Sequence, residues 1–247
     1  MKKDFLSCEI YFYPNSLEIG EEIIIKDEEA KHILKVMRHK VGDKIKLTDG
    51  YGYEYEFLIT YTQKEKLKGK ILNKRYLPRE PNIAITLACS PLKGENTEIM
   101  LAKTTELGIS GFLPVYFQNT IASLTENKLK RLKKIAISSL KTSAGTLLPK
   151  IYQPLSFSQL TENFSSFDLV LLAYENSETR LADIIENRDA IKNILLIIGP
   201  EGGFASEEIK KAKEKGAKFF TLGKRRLKSE TAGIVAVSLI LYEFNNI

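Results

Sequence analysis

The sequence is poor in the residues that build disulfide frameworks and metal sites. Its 247 residues include only two cysteines, Cys8 and Cys89, and two histidines, His32 and His39. The cysteines are far apart and form no Cys-x-x-Cys motif, and the histidines have no set of partner ligands at metal-binding spacing. We therefore expect no metal, two reduced thiols in a cytoplasmic protein, and surface or capping roles for the histidines.

Long hydrophobic runs are also lacking. The longest apolar stretch, Ala232–Tyr242, contains Gly233 and Ser238 and is shorter than the roughly 17 to 25 residues of a membrane-spanning helix. Near the start of the chain, Asp4 and Glu9 interrupt any apolar segment, so no secretory signal is predicted. We expect a core or interface helix over Ala232–Tyr242 and no membrane partner.

Acidic residues are scarce in two stretches of the chain. Residues 127–150 contain seven Lys or Arg and no acid, and residues 210–228 contain nine against Glu214 alone, although the whole chain has a net charge of only +6. A lysine-rich run is often a solvated helix face. In the second stretch, however, four cations crowd the short loop 224–228, where their repulsion favours an anionic partner such as RNA.

The first 75 residues have the pattern of a small β-barrel. Short strands are predicted at Glu21–Ile25, Lys44–Thr48, Tyr53–Thr60 and Leu67–Asn73, with glycine in the intervening turns. One helix is predicted after the first of these strands, with Asp27 as its N-cap. Residues 76–81 contain two prolines and no periodicity, which favours a linker and a division into domains 1–75 and 76–247.

The second domain alternates short apolar strands with amphipathic helices, which predicts an α/β fold with a parallel sheet covered on both faces. The predicted strands are Ile83–Cys89, Phe112–Tyr116, Leu169–Ala173, Ile194–Ile198 and Phe219–Leu222. The predicted helices are Thr97–Leu107, Glu126–Leu140, Arg180–Asn187, Glu207–Lys215 and Ser229–Phe244. Such sheets bind ligands at the carboxyl ends of their strands.

Three loops follow the last three predicted strands and are therefore expected to be neighbours: 172–176, 198–204 and 222–232. In the second, Gly202 and Gly203 permit positive φ and a close approach of ligand to backbone. Ser206 and Ser229 are N-cap candidates for the helices that follow. The glycines match neither Gly-x-Gly-x-x-Gly nor Gly-x-x-x-x-Gly-Lys-Ser/Thr, the two common phosphate-binding motifs. Because Glu201, like Glu207 and Glu208 just after it, adds negative charge there, a nucleoside or cationic ligand fits better than a pyrophosphate.

These motifs resemble those of one family. Ile198–Phe204 reads Ile-Gly-Pro-Glu-Gly-Gly-Phe, Leu227–Ala232 reads Leu-Lys-Ser-Glu-Thr-Ala, and His32–Arg38 and Thr105–Ile109 also match. Over its whole length the chain resembles the RsmE family of 16S rRNA uridine-N3 methyltransferases, in the SPOUT superfamily. The resemblance implies a trefoil-knotted α/β domain, preceded by a PUA-like RNA-binding barrel, that acts in rRNA processing as a homodimer. The small residues of Ala232–Tyr242 would allow close helix approach in such a dimer.

The resemblance also implies that S-adenosylmethionine binds among the three loops. The implied cofactor-binding residues are Leu172, Ala173, Tyr174, Glu175, Ile198, Gly199, Pro200, Glu201, Gly202, Gly203, Leu222, Gly223, Leu227, Lys228, Ser229, Thr231 and Ala232. Uracil N3 must lose its proton before it attacks the methyl carbon. The implied catalytic residues are therefore Arg225 and Lys228, which would stabilise negative charge on the uracil, and Glu230, which would orient the cofactor or act as a base.

The expected substrate is 16S rRNA, free or within the small ribosomal subunit. The candidate RNA-binding residues are Arg38, Lys130, Lys134, Lys141, Arg225 and Arg226. The chain departs from the family pattern at Lys228, at 142–145 and at Asn119-Thr120, where the family usually has arginine or glutamine side chains. Two alternatives share the sequence features: a non-catalytic RNA-binding or ribosome-assembly protein with the same fold, and a methyltransferase for a different RNA base.

Overall fold

The computed structural model describes residues 10–77 and 79–247. Cys8, the rest of the amino-terminal segment and Pro78 of the predicted linker lie outside these residues, so the expectations for them are not addressed below. The chain forms two compact units. The first contains the residues up to Glu80 together with Ile137–Leu148, and the second contains Pro81–Ala136 and Pro149–Ile247.

The first unit is built on a five-stranded sheet. Its strands are β1 (Tyr11–Phe12), β2 (Glu22–Lys26), β3 (Lys44–Thr48), β4 (Tyr53–Gln63) and β5 (Lys66–Tyr76), in the order β1-β3-β4-β5-β2. The pairings are antiparallel except that between β1 and β3. Alternate side chains such as Ile23 and Ile25 are buried while their neighbours face solvent, as expected for a sheet with one face on a core. The predicted β-rich first unit is confirmed.

The helix of this unit differs from its prediction. Helix α1 (Asp27–Lys31) begins at Asp27 itself and continues into a π-helical turn over His32–Val36. Lys26 occupies the capping position, and no side chain caps the helix there. The prediction of Asp27 as N-cap was therefore wrong by one residue, and Asp27 instead adopts a positive φ of 59° at the junction with β2.

Residues 137–148 complete the first unit through backbone and side-chain bonds. Gly52 donates its N–H to the carbonyl of Thr146 at 2.8 Å, and Leu148 donates to the carbonyl of Gly50 at 2.9 Å. Glu80 accepts hydrogen bonds from both the amide and the hydroxyl of Thr146. A segment distant in sequence thus supplies hydrogen bonds to the turn between β3 and β4.

The second unit contains a parallel sheet. Its strands are β6 (Ala84–Cys89), β7 (Gly111–Tyr116), β8 (Lys150–Ile151), β9 (Leu155–Ser156), β10 (Leu169–Ala173), β11 (Asn193–Ile198) and β12 (Lys218–Phe220). The order is β12-β10-β11-β6-β7-β8, with β9 also paired to β7, and every pairing is parallel. The predicted parallel α/β sheet is confirmed, and each of its five predicted strands is present.

The helices of the second unit are α2 (Asn96–Glu106), α3 (Glu126–Thr142, which continues into the first unit), α4 (Phe157–Glu162), α5 (Leu181–Ile184), α6 (Ser206–Glu214) and α7 (Ser229–Glu243). Two details differ from prediction. The helix expected over Arg180–Asn187 ends at Ile184, because Ile185 already adopts an extended conformation with ψ 93°. Strands β8 and β9 and helix α4 were not predicted, since elements of two to six residues show no periodicity.

Helix α7 packs against α2 through its small residues. A Cβ placed on Gly233 would lie 2.8 Å from the sulfur of Met100 on α2, and Ala236 is completely buried. Gly233 therefore permits the close approach of α7 to α2 within one chain. The outer face of α7 leaves Leu239 and Tyr242 exposed. In the part of the chain that the structure describes, no helix is both long and apolar enough to cross a membrane.

Candidate functional site

A cavity lies at the carboxyl edge of the parallel sheet, where the loops after β10, β11 and β12 meet. Strand β10 pairs in parallel with both of the others, with Leu172 opposite Ile197 and Ala173 opposite Phe220. The cavity has a volume of about 630 Å³, within the range of small-molecule sites. Its lining comprises Asn96, Ala173, Tyr174, Glu175, Asn176, Ile198, Gly199, Pro200, Glu201, Gly202, Gly203, Phe204, Leu222, Gly223, Arg225, Arg226, Leu227, Lys228, Ser229, Glu230 and Ala232.

The structure thus brings most of the proposed cofactor-binding residues to one cavity. Leu172 and Thr231 are the two that do not line it: Leu172 is fully buried within β10, and Thr231 is exposed on α7. Asn96, Asn176 and Phe204 also line the cavity. Asn176 and Phe204 belong to the predicted loops but were not among the proposed cofactor-binding residues, and Asn96 was not predicted at all. Asn96 begins α2, far from the three loops in sequence, and no local pattern marks it.

The loop 199–205 between β11 and α6, here called the glycine loop, makes a tight turn at Gly203. Gly203 has a φ of +73° and donates its N–H to the carbonyl of Pro200 at 2.9 Å. Gly202 does not have a positive φ, contrary to the expectation for it. Its lack of a side chain serves close packing instead, because a Cβ on Gly202 would lie 3.0 Å from the Cβ of Asn119.

The start of α6 is capped by a glutamate and not by Ser206. Ser206 is the first residue of the helix and Ala205 is in the capping position. The carboxylate of Glu208 accepts the N–H of Ala205 at 2.9 Å and, through its other oxygen, the N–H of Gln118 at 2.8 Å. The buried Glu208 therefore links the glycine loop to the loop that follows β7.

The start of α7 also differs from its prediction. Ser229 is the first helical residue, Lys228 occupies the capping position, and no side-chain cap bond forms. Glu230 lies in the first helical turn, half-buried in the cavity lining. Its carboxylate makes no hydrogen bond or ion pair with the side chains that the structure describes. This leaves it available to a ligand in the cavity.

The cations of the loop 224–228 have two different environments. Arg226 is engaged: its Nε lies 3.7 Å from Oε2 of Glu175, and its Nη2 donates to the carbonyl of Glu201 at 3.2 Å. Arg225 and Lys228 line the cavity, are exposed, and have no ion-pair partner among residues 10–77 and 79–247. Their charges remain available to an anion.

The other candidate RNA-binding residues also differ in availability. Lys130 and Lys134 are exposed on α3. Arg38 is exposed at a positive φ of 61°. Lys141 is engaged in the first unit, where its Nζ donates to Glu29 Oε2 at 2.7 Å and its side chain is 21% exposed. The charge of Lys141 is thus offset by a carboxylate.

A metal site was not found among the described residues, which contain no group of three or more His, Cys, Asp or Glu able to hold an ion. The free thiol of Cys89 is buried at the end of β6, and burial raises its pKa. That thiol is therefore protonated at neutral pH and does not serve as a metal ligand or nucleophile there.

Comparison with known proteins gives matches over nearly the whole chain. Residues 78–241 match the RNA methyltransferase domain family, and residues 25–72 match the RNA methyltransferase PUA domain. Ribosomal RNA small subunit methyltransferase E of Mesomycoplasma hyopneumoniae is 35% identical over 185 residues, covering 74% of this chain and 80% of the relative. The protein of the same name from Bacillus subtilis is 29% identical over 92% of both chains.

A solved structure has the same fold. It is that of a ribosomal RNA small subunit methyltransferase E from Neisseria gonorrhoeae bound to S-adenosyl methionine, with a TM-score of 0.86 and 27% identity. The match covers 95% of this chain and 97% of that one. Both compact units are therefore represented in the solved structure.

Proposed function

This chain belongs to the ribosomal RNA small subunit methyltransferase E family, and we propose that it transfers a methyl group from S-adenosylmethionine to N3 of a uridine in 16S rRNA. The observation that carries this proposal is the cavity at the sheet edge, where three loops with the family's motifs converge. The combination of glycines, carboxylates and exposed cations in one lining suits a cationic nucleoside cofactor beside an anionic RNA.

The lining residues fit S-adenosylmethionine. The cavity of about 630 Å³ is large enough for a small-molecule ligand. Leu222 and Leu227 offer apolar surface to an adenine ring, and the exposed Glu201 and half-buried Glu230 offer negative charge to a sulfonium. The glycines allow a ligand to approach the backbone closely. When bound there, S-adenosylmethionine supplies an electrophilic methyl group on a positively charged sulfur.

Glu230 is the residue that we assign to the N3 proton. Uracil N3 carries a proton that must be removed, wholly or partly, as its nitrogen forms the new bond. Of the three carboxylates in the lining, Glu175 is paired with Arg226 and Glu201 is exposed, whereas Glu230 is half-buried and has no side-chain partner among the described residues. A free carboxylate in a partly dehydrated site suits general-base catalysis.

Arg225 and Lys228 are assigned to charge stabilisation. Loss of the N3 proton leaves negative charge on the two uracil oxygens, and positively charged donors placed beside them lower the barrier. Both side chains line the cavity, and neither has an ion-pair partner among residues 10–77 and 79–247. Lys228 replaces the arginine usual in the family and keeps the charge while losing the planar fork of donors.

RNA recognition is assigned to the exposed cations and to the amino-terminal unit. Lys130 and Lys134 would contact phosphates, with Arg38 contributing from the first unit, which corresponds to the PUA-like domain that we place at 1–75, before the SPOUT-like domain at 76–247. N3 lies on the pairing edge of uracil, so the base must be unpaired or extruded to react. This activity belongs in the cytoplasm, where ribosomal subunits are made. The trefoil knot implied by the resemblance also stays a prediction.

We further propose that the protein is a homodimer. Gly233 packs against α2 within the chain and Ala236 is completely buried, so they do not explain a dimer as expected. The exposed Leu239 and Tyr242 on the outer face of α7 offer apolar surface to a second copy instead. Light scattering at micromolar concentration tests this: a particle of 28.0 kDa, the mass of one chain, would contradict it.

Two measurements test the proposed function. Mass spectrometry of 16S rRNA nucleosides from a strain lacking the gene should show the loss of N3-methyluridine, restored by the wild-type gene. Calorimetry should show that the purified protein binds S-adenosylmethionine. A protein that binds RNA but not this cofactor would instead be a binding or assembly factor, and loss of a different methylated base would identify another substrate.

A further inference from the structure

The loop that follows β7, residues 117–120, touches the glycine loop although Gln118, Asn119 and Thr120 do not line the cavity. It has a fixed shape of its own. The hydroxyl of Thr120 accepts the N–H of Phe117 at 2.8 Å and lies 2.9 Å from the hydroxyl of Ser90, just after β6. The 117–120 loop is therefore a rigid support beside the site.

A buried carboxylate joins this support to the glycine loop. Glu208 is only 8% exposed, and each of its oxygens accepts one backbone N–H, from Ala205 at the end of the glycine loop and from Gln118 in the support. Hydrogen bonds from backbone amides to a carboxylate are among the stronger ones in proteins. Glu208 thus bonds to an amide 90 residues earlier in the sequence and holds the two loops together.

Asn119 makes a second contact between the 117–120 loop and the glycine loop. The side-chain amide of Asn119 donates to the carbonyl of Gly203 at 3.1 Å and approaches that of Gly202 at 3.4 Å. The missing side chain of Gly202 is what lets Asn119 come this close. Asn119 thus holds the two glycines of the turn by their carbonyl groups.

We infer that Glu208 and Asn119 are positioning residues that preorganise the glycine loop and thereby set the affinity for S-adenosylmethionine. Glycine loses more conformational freedom than any other residue when it is ordered. A loop ordered before binding spares that cost when the ligand arrives. The two side chains act from outside the cavity, through the backbone that lines it. This inference rests on the proposed function, which supplies the ligand.

Glu208→Gln tests the inference directly. A glutamine side chain has one acceptor oxygen for the two N–H groups that Glu208 satisfies. We expect the dissociation constant for S-adenosylmethionine, measured by calorimetry, to rise about tenfold. Glu207→Gln is the matched control, because Glu207 is the exposed neighbour on the same helix and does not line the cavity. Glu207→Gln removes the same charge and should leave the affinity for S-adenosylmethionine within about twofold of the wild-type value.

Asn119→Ala provides a second variant that does not disturb a buried group, because Asn119 is exposed. We expect the dissociation constant to rise about threefold, since the neutral hydrogen bonds from the Asn119 amide to the two glycine carbonyls are lost. In both variants the apparent KM for S-adenosylmethionine should rise more than kcat falls. A residue that only supported the overall fold would lower thermal stability without this selective effect.

Hydrogen exchange of the ligand-free protein supplies the readout that is independent of activity. Exchange at the amides of Gln118 and Ala205 should accelerate in Glu208→Gln, and exchange in β11 should not. Unchanged exchange at both amides, or faster exchange with wild-type affinity, overturns the inference. A wild-type protein that fails to bind S-adenosylmethionine overturns the proposed function, so the two failures are distinguishable.

Discussion

Arg226 and Glu175 form an ion pair of 3.7 Å between the loops after β12 and β10, and the same arginine donates to the carbonyl of Glu201. Both side chains are exposed, at 71% and 55%. Exposed pairs contribute little to stability, so Arg226→Ala should change the free energy of unfolding in urea by less than about 1 kcal/mol. It should nevertheless weaken RNA binding in a titration, because a cation is lost.

Arg180→Ala is the matched control for that experiment. Arg180 forms an exposed pair with Asp183 at 2.8 Å and does not line the cavity. Its loss should have an equally small effect on unfolding and none on RNA affinity. Equal RNA affinities for Arg226→Ala and the wild type would remove Arg226 from the RNA-binding residues.

Arg225→Ala and Lys228→Ala should reduce turnover. If these cations stabilise charge that develops on uracil, each substitution lowers kcat by about 10²-fold, with a smaller effect on RNA affinity. Single-turnover assays with small-subunit particles and radiolabelled cofactor would measure both quantities. Should the substitutions change RNA affinity alone, the stabilising group lies elsewhere.

Glu230→Gln distinguishes the two roles considered for Glu230. If Glu230 is the base, its loss should lower the rate of methyl transfer by about 10²-fold or more. The difference in rate from the wild type should shrink as pH rises, because solvent hydroxide takes over removal of the proton. If Glu230 instead orients the cofactor, its loss should raise the KM for S-adenosylmethionine and leave the shape of the pH profile unchanged. The pH dependence of single-turnover rates decides between them.

Lys130→Ala and Lys134→Ala should act on RNA binding. Each lost phosphate contact should lower the slope of log affinity against log salt by about one unit. Turnover at saturating RNA should fall far less than in Arg225→Ala. Arg131→Ala serves as a comparison, since Arg131 lies on the same helix but is paired with Glu98 at 2.7 Å. A salt slope equal to that of the wild type in both lysine variants would exclude them as phosphate contacts.

Glu54 makes the first unit sensitive to acid. Its carboxylate is 3% exposed and pairs with Arg79, with Arg75 at 2.8 Å and with Lys46 at 3.6 Å. Burial alone would raise the pKa of Glu54, but the hydrogen bond and charge of Arg79, with Lys46 and Arg75, outweigh burial and lower it. The ionised carboxylate therefore stabilises the fold above the pKa of an unfolded glutamate, about 4.3.

That contribution should be lost as pH falls through the lowered pKa of the folded state. Urea unfolding between pH 7 and pH 3 should show a steeper loss of stability in the wild type than in Glu54→Gln. Glu56→Gln is the control, because Glu56 is on the same strand but its carboxylate is 37% exposed beside Lys44. A Glu54→Gln protein with the wild-type pH dependence would contradict the assignment.

The parallel sheet and its loops could be predicted because each central strand is a short apolar run that ends at glycine, proline or a polar residue. The contacts that determine which residue stands at a single position could not be predicted. Gly202 was expected to need a positive φ, yet it is small because Asn119, 83 residues earlier in the chain, packs against it. Serine was expected to cap α6 by residue type, whereas the buried Glu208 does so from within the helix. Contacts of this kind have no local signature.

The membership of residues 137–148 in the first unit bears on how the protein is made. The hydrogen bond from the Thr48 hydroxyl to the carbonyl of Thr146 joins residues 98 positions apart. Glu80 likewise accepts a hydrogen bond from the hydroxyl of Thr146. A ribosome that has just released Glu80 from its exit tunnel has not yet translated those partners. By the time Leu148 emerges, strands β6 and β7 have already been synthesised. Maturation of the amino-terminal unit therefore finishes only after translation of the second unit has begun.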